Sequence, residues 1–295
     1  MNPIKPTILA VGLSFLTTST LAHDSKCPWP EGLHNEVNSL KAEHVKTPGN
    51  GETLLQLSTT YQAIGIGKKA LEFADKAIEQ MPKSGSAQVA KVHALHLLGR
   101  VDESLALANK VYFDQSVEFT RRGMKSWLRH SMLGIYLESG KLKTAEQMIM
   151  KQFPDVLDLM DKPVEPLSLK LGIPIHTLEP LIYIYRNTGR AKQADRLARH
   201  LTGFSAMSFF ELEPDKLQAS QHWLLASLWA GVPLANDKIV ASLRRAYDQG
   251  FSMGWRFNYA HHPVYWPLHQ DAGFVGLIKR IEGDMEKARR CLVGG

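Results

Sequence analysis

Apolar positions in residues 51–82 fall at 54, 57, 61 and 64, a spacing that places them on one helical face. Gly65 and Gly67 then interrupt the pattern. A second helical face follows, with Ala70, Ala74, Ala77 and Ile78, and Pro82 closes it. The pattern predicts two helices folded back on each other.

The pattern returns. Gly99 stands 34 residues after Gly65, with Leu95 at the Tyr61 position, Ser104 at the first alanine and Ala108 at the offset of Ala74. A third copy has Tyr136, Gly140 and Ala145, and a fourth has Tyr185, Gly189, Ala194 and Ala198. The glycine spacing grows to 41 and then 49, so residues 113–125 and 153–175 are read as insertions or lengthened helices. Pro154, Pro163, Pro166 and Pro174 mark the second as an irregular connector. "HWLLASLWAG" and "IVASLRRAYDQGF" predict a fifth hairpin with a stretched turn.

A late aromatic, a turn glycine, spaced alanines and a closing proline together resemble the tetratricopeptide repeat. Tyr61, Gly65, Ala70, Ala77 and Pro82 carry the resemblance best. It covers roughly residues 51–250 and implies an all-α fold, a right-handed α-solenoid of about five helical hairpins. The stretch "LRRAYDQGF…HHPVYWPLHQDAGFVGLIKRIEGDM" is similar to the C-terminal end of many bacterial proteins with these repeats, through Pro263, Tyr265, Leu268, Asp271, Phe274 and Leu277. Residues 251–295 are therefore expected to form a C-terminal capping segment. Its last helix puts Phe274, Leu277, Ile278 and Ile281 on one side, with Lys279, Arg280 and Glu282 facing away.

The N-terminus has a different pattern. Residues 1–22 carry Lys5, an apolar run from Ile8 to Leu16, and Thr20 and Ala22 at small-residue positions, as a signal peptide cleaved after Ala22 would. The run is too short to span a bilayer, and no later stretch is long and apolar enough. An exported, not membrane-embedded protein is expected, and the family resemblance implies a periplasmic one. Residues 23–50 read as an N-terminal extension, flexible up to the first repeat helix. Cys27 and Cys291, an even pair in an exported chain, are candidates for a disulfide, with a bridged homodimer or two free thiols as alternatives.

Charge adds little. The formal net charge is +6, and basic residues alternate with acidic ones, so no basic stripe invites nucleic acid. Catalytic motifs are missing too. "GIGKK" lacks the earlier glycine and the hydroxyl residue of a phosphate loop, and "GFSAM" has Met207 where a nucleophile elbow needs glycine. No HExxH and no cysteine pair with metal spacing occurs, so neither catalytic residues nor a cofactor is expected.

Two histidine sets supply a metal alternative: His93, His96 and His130, and His261, His262 and His269 within "YAHHPVYWPLH". Zinc takes three or four ligands, and the adjacent His261 and His262 point opposite ways in extended chain. Pro263 and Pro267 rule out a long helix there, so Tyr265, Trp266 and Leu268 are expected to cover the last hairpin.

The resemblance implies that the first helix of each hairpin lines a concave groove. Its residues would be Thr59, Gln62, His93, His96, Trp127, His130, Glu138, Glu179, Tyr183, Arg186 and Asn187. Aromatic residues with arginine are what binding surfaces favour. The expected function is an exported, non-catalytic scaffold that binds a peptide or protein partner in this groove. A metal-binding protein or metalloenzyme using the histidines, and an envelope assembly or dimerisation factor, are the alternatives.

Overall fold

The computed structural model describes residues 31–119, 124–154, 156, 175–208, 217–230, 235–250, 260 and 262–293. Among these the fold is all-helical, and the one β-bridge joins Ser84 and Glu118. The helices are α1 (Glu31–Lys46), α2 (Gly51–Ala63), α3 (Gly67–Gln80), α4 (Gly85–Leu97), α5 (Val101–Phe113), α6 (Met124–Glu138) and α7 (Leu142–Gln152). They continue with α8 (Ile175–Asn187), α9 (Ala191–Ser208), α10 (Ala219–Ala230), α11 (Asn236–Asp248) and α12 (Ala272–Val293). A 3-10 segment, Pro263–Leu268, precedes α12.

Local chemistry sets the helix ends. The Asn50 side chain accepts hydrogen bonds from the Glu52 and Thr53 N–H groups at 3.0 and 3.2 Å and so caps α2. Four first helices end in one and the same way. Gly65, Gly99, Gly140 and Gly189 take φ of 77, 74, 68 and 76°. The residue after each glycine donates its N–H to the carbonyl five residues back: Ile66 to Tyr61, Arg100 to Leu95, Lys141 to Tyr136 and Arg190 to Tyr185. This cap needs a left-handed residue at one position, which glycine occupies without a Cβ clash. The aromatic-to-glycine spacing in the sequence is thus the spacing of a helix cap.

A second contact recurs inside the pairs. Ser58 Oγ on α2 donates to the Ala70 carbonyl on α3 at 2.8 Å. In the next pair Ser104 Oγ on α5 donates to the Val92 carbonyl on α4 at 2.8 Å. Positions 92 and 104 lie 34 residues beyond 58 and 70, so the same two positions meet with the donor on the other helix. This is why a serine is accommodated at the first alanine position while fully buried.

Each helix packs on its neighbour in the chain, and the first helices of successive pairs also touch: α2 with α4, α4 with α6, α6 with α8, and α8 with α10. Buried Ala70, Ala74, Ala108, Ala145, Ala194 and Ala198 allow close approach within the pairs. Five consecutive pairs result, α2/α3 to α10/α11. The first lengthened connection, after α5, is a loop that returns to the α3–α4 turn: Gly85 N–H donates to the Glu118 carbonyl, and Glu118 N–H to that of Lys83. Most of the second lies outside the described residues, as do the expected signal peptide, Cys27 and the side chain of Cys291.

The flexible extension expected before residue 51 is corrected by α1, which buries Val37 and Leu40. Val37 and Leu40, one turn apart, give α1 an apolar side that docks on the neighbouring helix. Thr53 Oγ1 donates to Glu43 at 2.8 Å, and the His44 ring meets the Phe73 ring edge-on.

The C-terminal segment touches both ends of the array. α12 packs on α11 and also on α1, and Arg289 Nη1 donates to the Ile64 carbonyl in the α2–α3 turn at 3.0 Å. One core therefore unites Leu57 and Phe73 of the first pair with Leu243 of the fifth and with Phe274, Ile281 and Met285 of α12. A second core runs from α4 to α9. No described helix is long and apolar enough to cross a membrane.

Candidate functional site

The 3-10 segment lies against α6, α8 and α10, the first helices of three successive pairs. Tyr265 anchors it. This side chain is fully buried, and its hydroxyl shares a 3.0 Å hydrogen bond with Ser227 of α10. Burial holds the phenol well above its ordinary pKa, against the smaller opposing effect of Ser227, and a nearby Glu179 charge acts in the same direction as burial. His262 packs beside it, stacking on His130 of α6 with ring centroids 5.5 Å apart and meeting Trp223 of α10 edge-on. Burial pushes the His262 imidazole down to about 4, so it is neutral here.

In front of this layer, α8 and the 3-10 segment enclose a cleft of about 340 Å³. Glu179 and Ile182, both buried, form its floor. Tyr183 and Trp266 are its aromatic walls, meeting edge to face with centroids 5.2 Å apart. Arg186, Asn187 and Pro267 stand at the exposed rim, and Ala230 and Val264 complete the lining.

α8 explains the arrangement. Positions 179, 182, 183 and 186 recur at helical spacing, so one face of one helix supplies floor, wall and rim. Arg186 lies 3.9 Å from Asp195 of α9, and Asn187 Nδ2 donates to the Tyr183 carbonyl at 2.8 Å. Glu179 is the anomaly. It is 2% exposed, and neither carboxyl oxygen has a hydrogen-bond partner among the described residues. Burial raises its pKa to about 8, so the carboxyl is mostly protonated at neutral pH. A raised acid in a cleft marks a functional-site candidate on physical grounds.

Of the groove positions named from the sequence, the structure brings Glu179, Tyr183, Arg186 and Asn187 to this cleft. Of the others with described side chains, His130 stands in the layer behind the cleft, and Gln62, His93, His96 and Glu138 bond to neighbouring helices. Gln62 Nε2 donates to the Ala90 carbonyl at 2.9 Å, and Thr59 Oγ1 to the carbonyl of Gln56 on its own helix. His93 Nε2 shares a 2.8 Å hydrogen bond with Ser131, and His96 Nε2 a 2.7 Å one with Glu138. These two bonds join α4 to α6. Desolvation, and to a smaller degree the neighbouring His96, lowers His93 to about 4. Trp127 is on α6, but its side chain is outside the described residues.

The histidine sets come apart. His130 packs on His262, away from the bonds of His93 and His96, and His269 Nε2 bonds to the Ala260 carbonyl at 3.0 Å. His261 lies outside the described residues. Among the described residues, no three His, Cys, Asp or Glu side chains are grouped so that they could hold a metal ion.

The cleft residues the sequence reading misses are Ile182, Ala230, Val264, Trp266 and Pro267. Trp266 had a signal: an aromatic between two prolines, in a stretch too short to bury all its rings on itself. Comparison with protein-family models finds no match, and none of the curated proteins matches the chain.

Proposed function

We propose that this chain is an exported, non-catalytic scaffold of the tetratricopeptide type, a right-handed α-solenoid that captures a peptide or protein partner in the cleft between α8 and residues 263–268. Four identical glycine caps and the contacts between successive first helices support that architecture. The binding reading is carried by one observation: Tyr183, Arg186 and Asn187 meet Trp266 around a single cleft. Aromatic and arginine side chains at a concave site are what binding energy concentrates on. A cavity of about 340 Å³ admits a side chain or two, so the partner presents a short segment.

The test is a peptide library selected on the purified chain and re-measured with the Tyr183→Ala, Arg186→Ala double variant. The selected peptides should lose most of their affinity for the double variant, while its circular dichroism and melting stay those of the parent. Equal affinity for a folded double variant would overturn the assignment of this cleft.

A further inference from the structure

We propose that the Glu179 cleft takes the ammonium group of a lysine side chain of the bound peptide, with Glu179 as its counter-ion and Trp266 and Tyr183 beside its stem. This rests on the peptide-binding reading above.

Three observations converge on a cation. First, the Glu179 carboxyl is buried without a hydrogen-bond partner among the described residues, an unfavourable state that a donor in the cleft would relieve once the side chain turns its now solvent-closed oxygens toward it. An ammonium group offers three donors and the complementary charge. Second, the walls are aromatic. Tyr183 and Trp266 line the cleft together, edge to face, and aromatic rings attract cations. Third, the fixed cation of the cleft, Arg186, sits at the exposed rim beside Asp195, which offsets its charge. Among the described lining residues, the floor therefore carries one ionisable acid, and the positive charge stands at the rim. A lysine stem is slender and apolar and delivers its charge at the tip, as an apolar-walled cleft with a deep acid requires.

The other titratable groups on the elements packed against α8 include Arg129 and His130 on α6, Glu146 on α7, Asp195 and His200 on α9, His222 on α10, Tyr265 on the 3-10 segment and His262 just before it. None hydrogen-bonds the Glu179 carboxyl. Binding of an ammonium ion ionises the acid, and its proton passes to the buffer.

The probes are acetylated, amidated Ala-Ala-Lys-Ala-Ala and the same peptide with norleucine, acetyl-lysine or arginine at the centre, titrated by calorimetry. The lysine peptide should bind at least about tenfold more tightly than the norleucine and acetyl-lysine peptides. At pH 6.5 it should release close to one proton, seen as a heat that depends on the ionisation enthalpy of the buffer. Glu179→Gln keeps the shape of the protonated acid and should abolish both the preference and the proton release. The first two measurements use the unaltered protein and do not depend on how the variant folds. Equal binding of lysine and norleucine, preference for arginine, lysine preference surviving Glu179→Gln, or no binding of the lysine peptide at millimolar concentration would each overturn the proposal. The Tyr183→Ala, Arg186→Ala variant separates the two readings. If library-selected peptides lose affinity for it but no lysine preference exists, this inference alone falls. If they do not, the cleft assignment falls with it.

Discussion

The first helices of the pairs carry two polar stretches that look alike in sequence and differ in what they touch. Between α4 and α6, His93 bonds to Ser131 and His96 to Glu138. Polar groups there are bonded to the neighbouring helix, and the stretch is a clasp. At α8 the helix next door does not meet the polar face in the same way. The 3-10 segment touches α8 through Trp266 and Tyr183 but leaves a cleft beside them, and the Glu179 carboxyl has no hydrogen-bond partner among the described residues. A polar residue on the first helix of a pair is thus not a binding residue by position alone. It becomes available when the opposite wall fails to supply its partner.

The largest effect expected from breaking this contrast is at Glu179. Its folded pKa of about 8 lies above the ordinary carboxylate value, so between pH 4.5 and 8 the folded chain holds a proton that the unfolded chain has released. Stability at this site therefore falls as pH rises through that window. Glu179→Gln removes the titration. Its unfolding free energy relative to the parent should improve by about 3 kcal/mol between pH 4.5 and 7, measured by urea denaturation at both values. A parallel pH dependence for the two proteins would contradict the burial of this acid.

Next comes His262, whose shift has the opposite sense. Its folded pKa is depressed to about 4, so between pH 4 and 6.5 the unfolded chain binds the proton and the folded chain does not. The stability it contributes is complete above 6.5 and is lost as pH falls toward 4. His262→Phe keeps a ring against His130 and Tyr265 and should remove about 2 kcal/mol of the destabilisation seen on going from pH 7 to 5. Denaturation midpoints at the two pH values check this. His93, also lowered to about 4, should retain its own share of the acid loss in that variant.

The smallest effect sharpens the comparison from the clasp side. Ser131→Ala leaves a His93 nitrogen without its partner and should cost about 1–2 kcal/mol at any pH above 6.5. Peptide affinity at the cleft should not change, since His93 and Ser131 are not among its lining residues. A coupled loss of binding and stability would mean the two stretches act as one surface.

Much of the helical framework is legible in the sequence because its signals are local. Tyr61, Gly65 and Ala70 act within a few residues of one another: the glycine allows the left-handed turn, the Tyr61 carbonyl closes it, and the alanine lets the second helix approach. α1 goes unread, although Leu33, Val37 and Leu40 recur at helical spacing, because it lies ahead of the first repeat and only the fold shows the surface that Val37 and Leu40 meet. Half of the cleft was readable as well, because 179, 183 and 186 share a helical face. The other half was not. Nothing near Trp266 says which helix it will face, and its approach to Tyr183 joins residues some eighty positions apart.

By itself, then, the sequence determines where helices begin, turn and pair, because propensity, capping and hairpin packing are settled over one or two turns of chain. The tertiary structure alone decides that "YAHHPVYWPLH" supplies, through Tyr265, His262 and Trp266, an anchor and a wall across α6, α8 and α10, not only a cover for the last hairpin. It also decides that α12 reaches back to α1, and that Glu179 is buried while Glu138 finds a histidine. Those outcomes depend on which surfaces remain uncovered after the helix pairs have stacked, and a burial cost or an unmet hydrogen bond exists only once the opposing wall is in place.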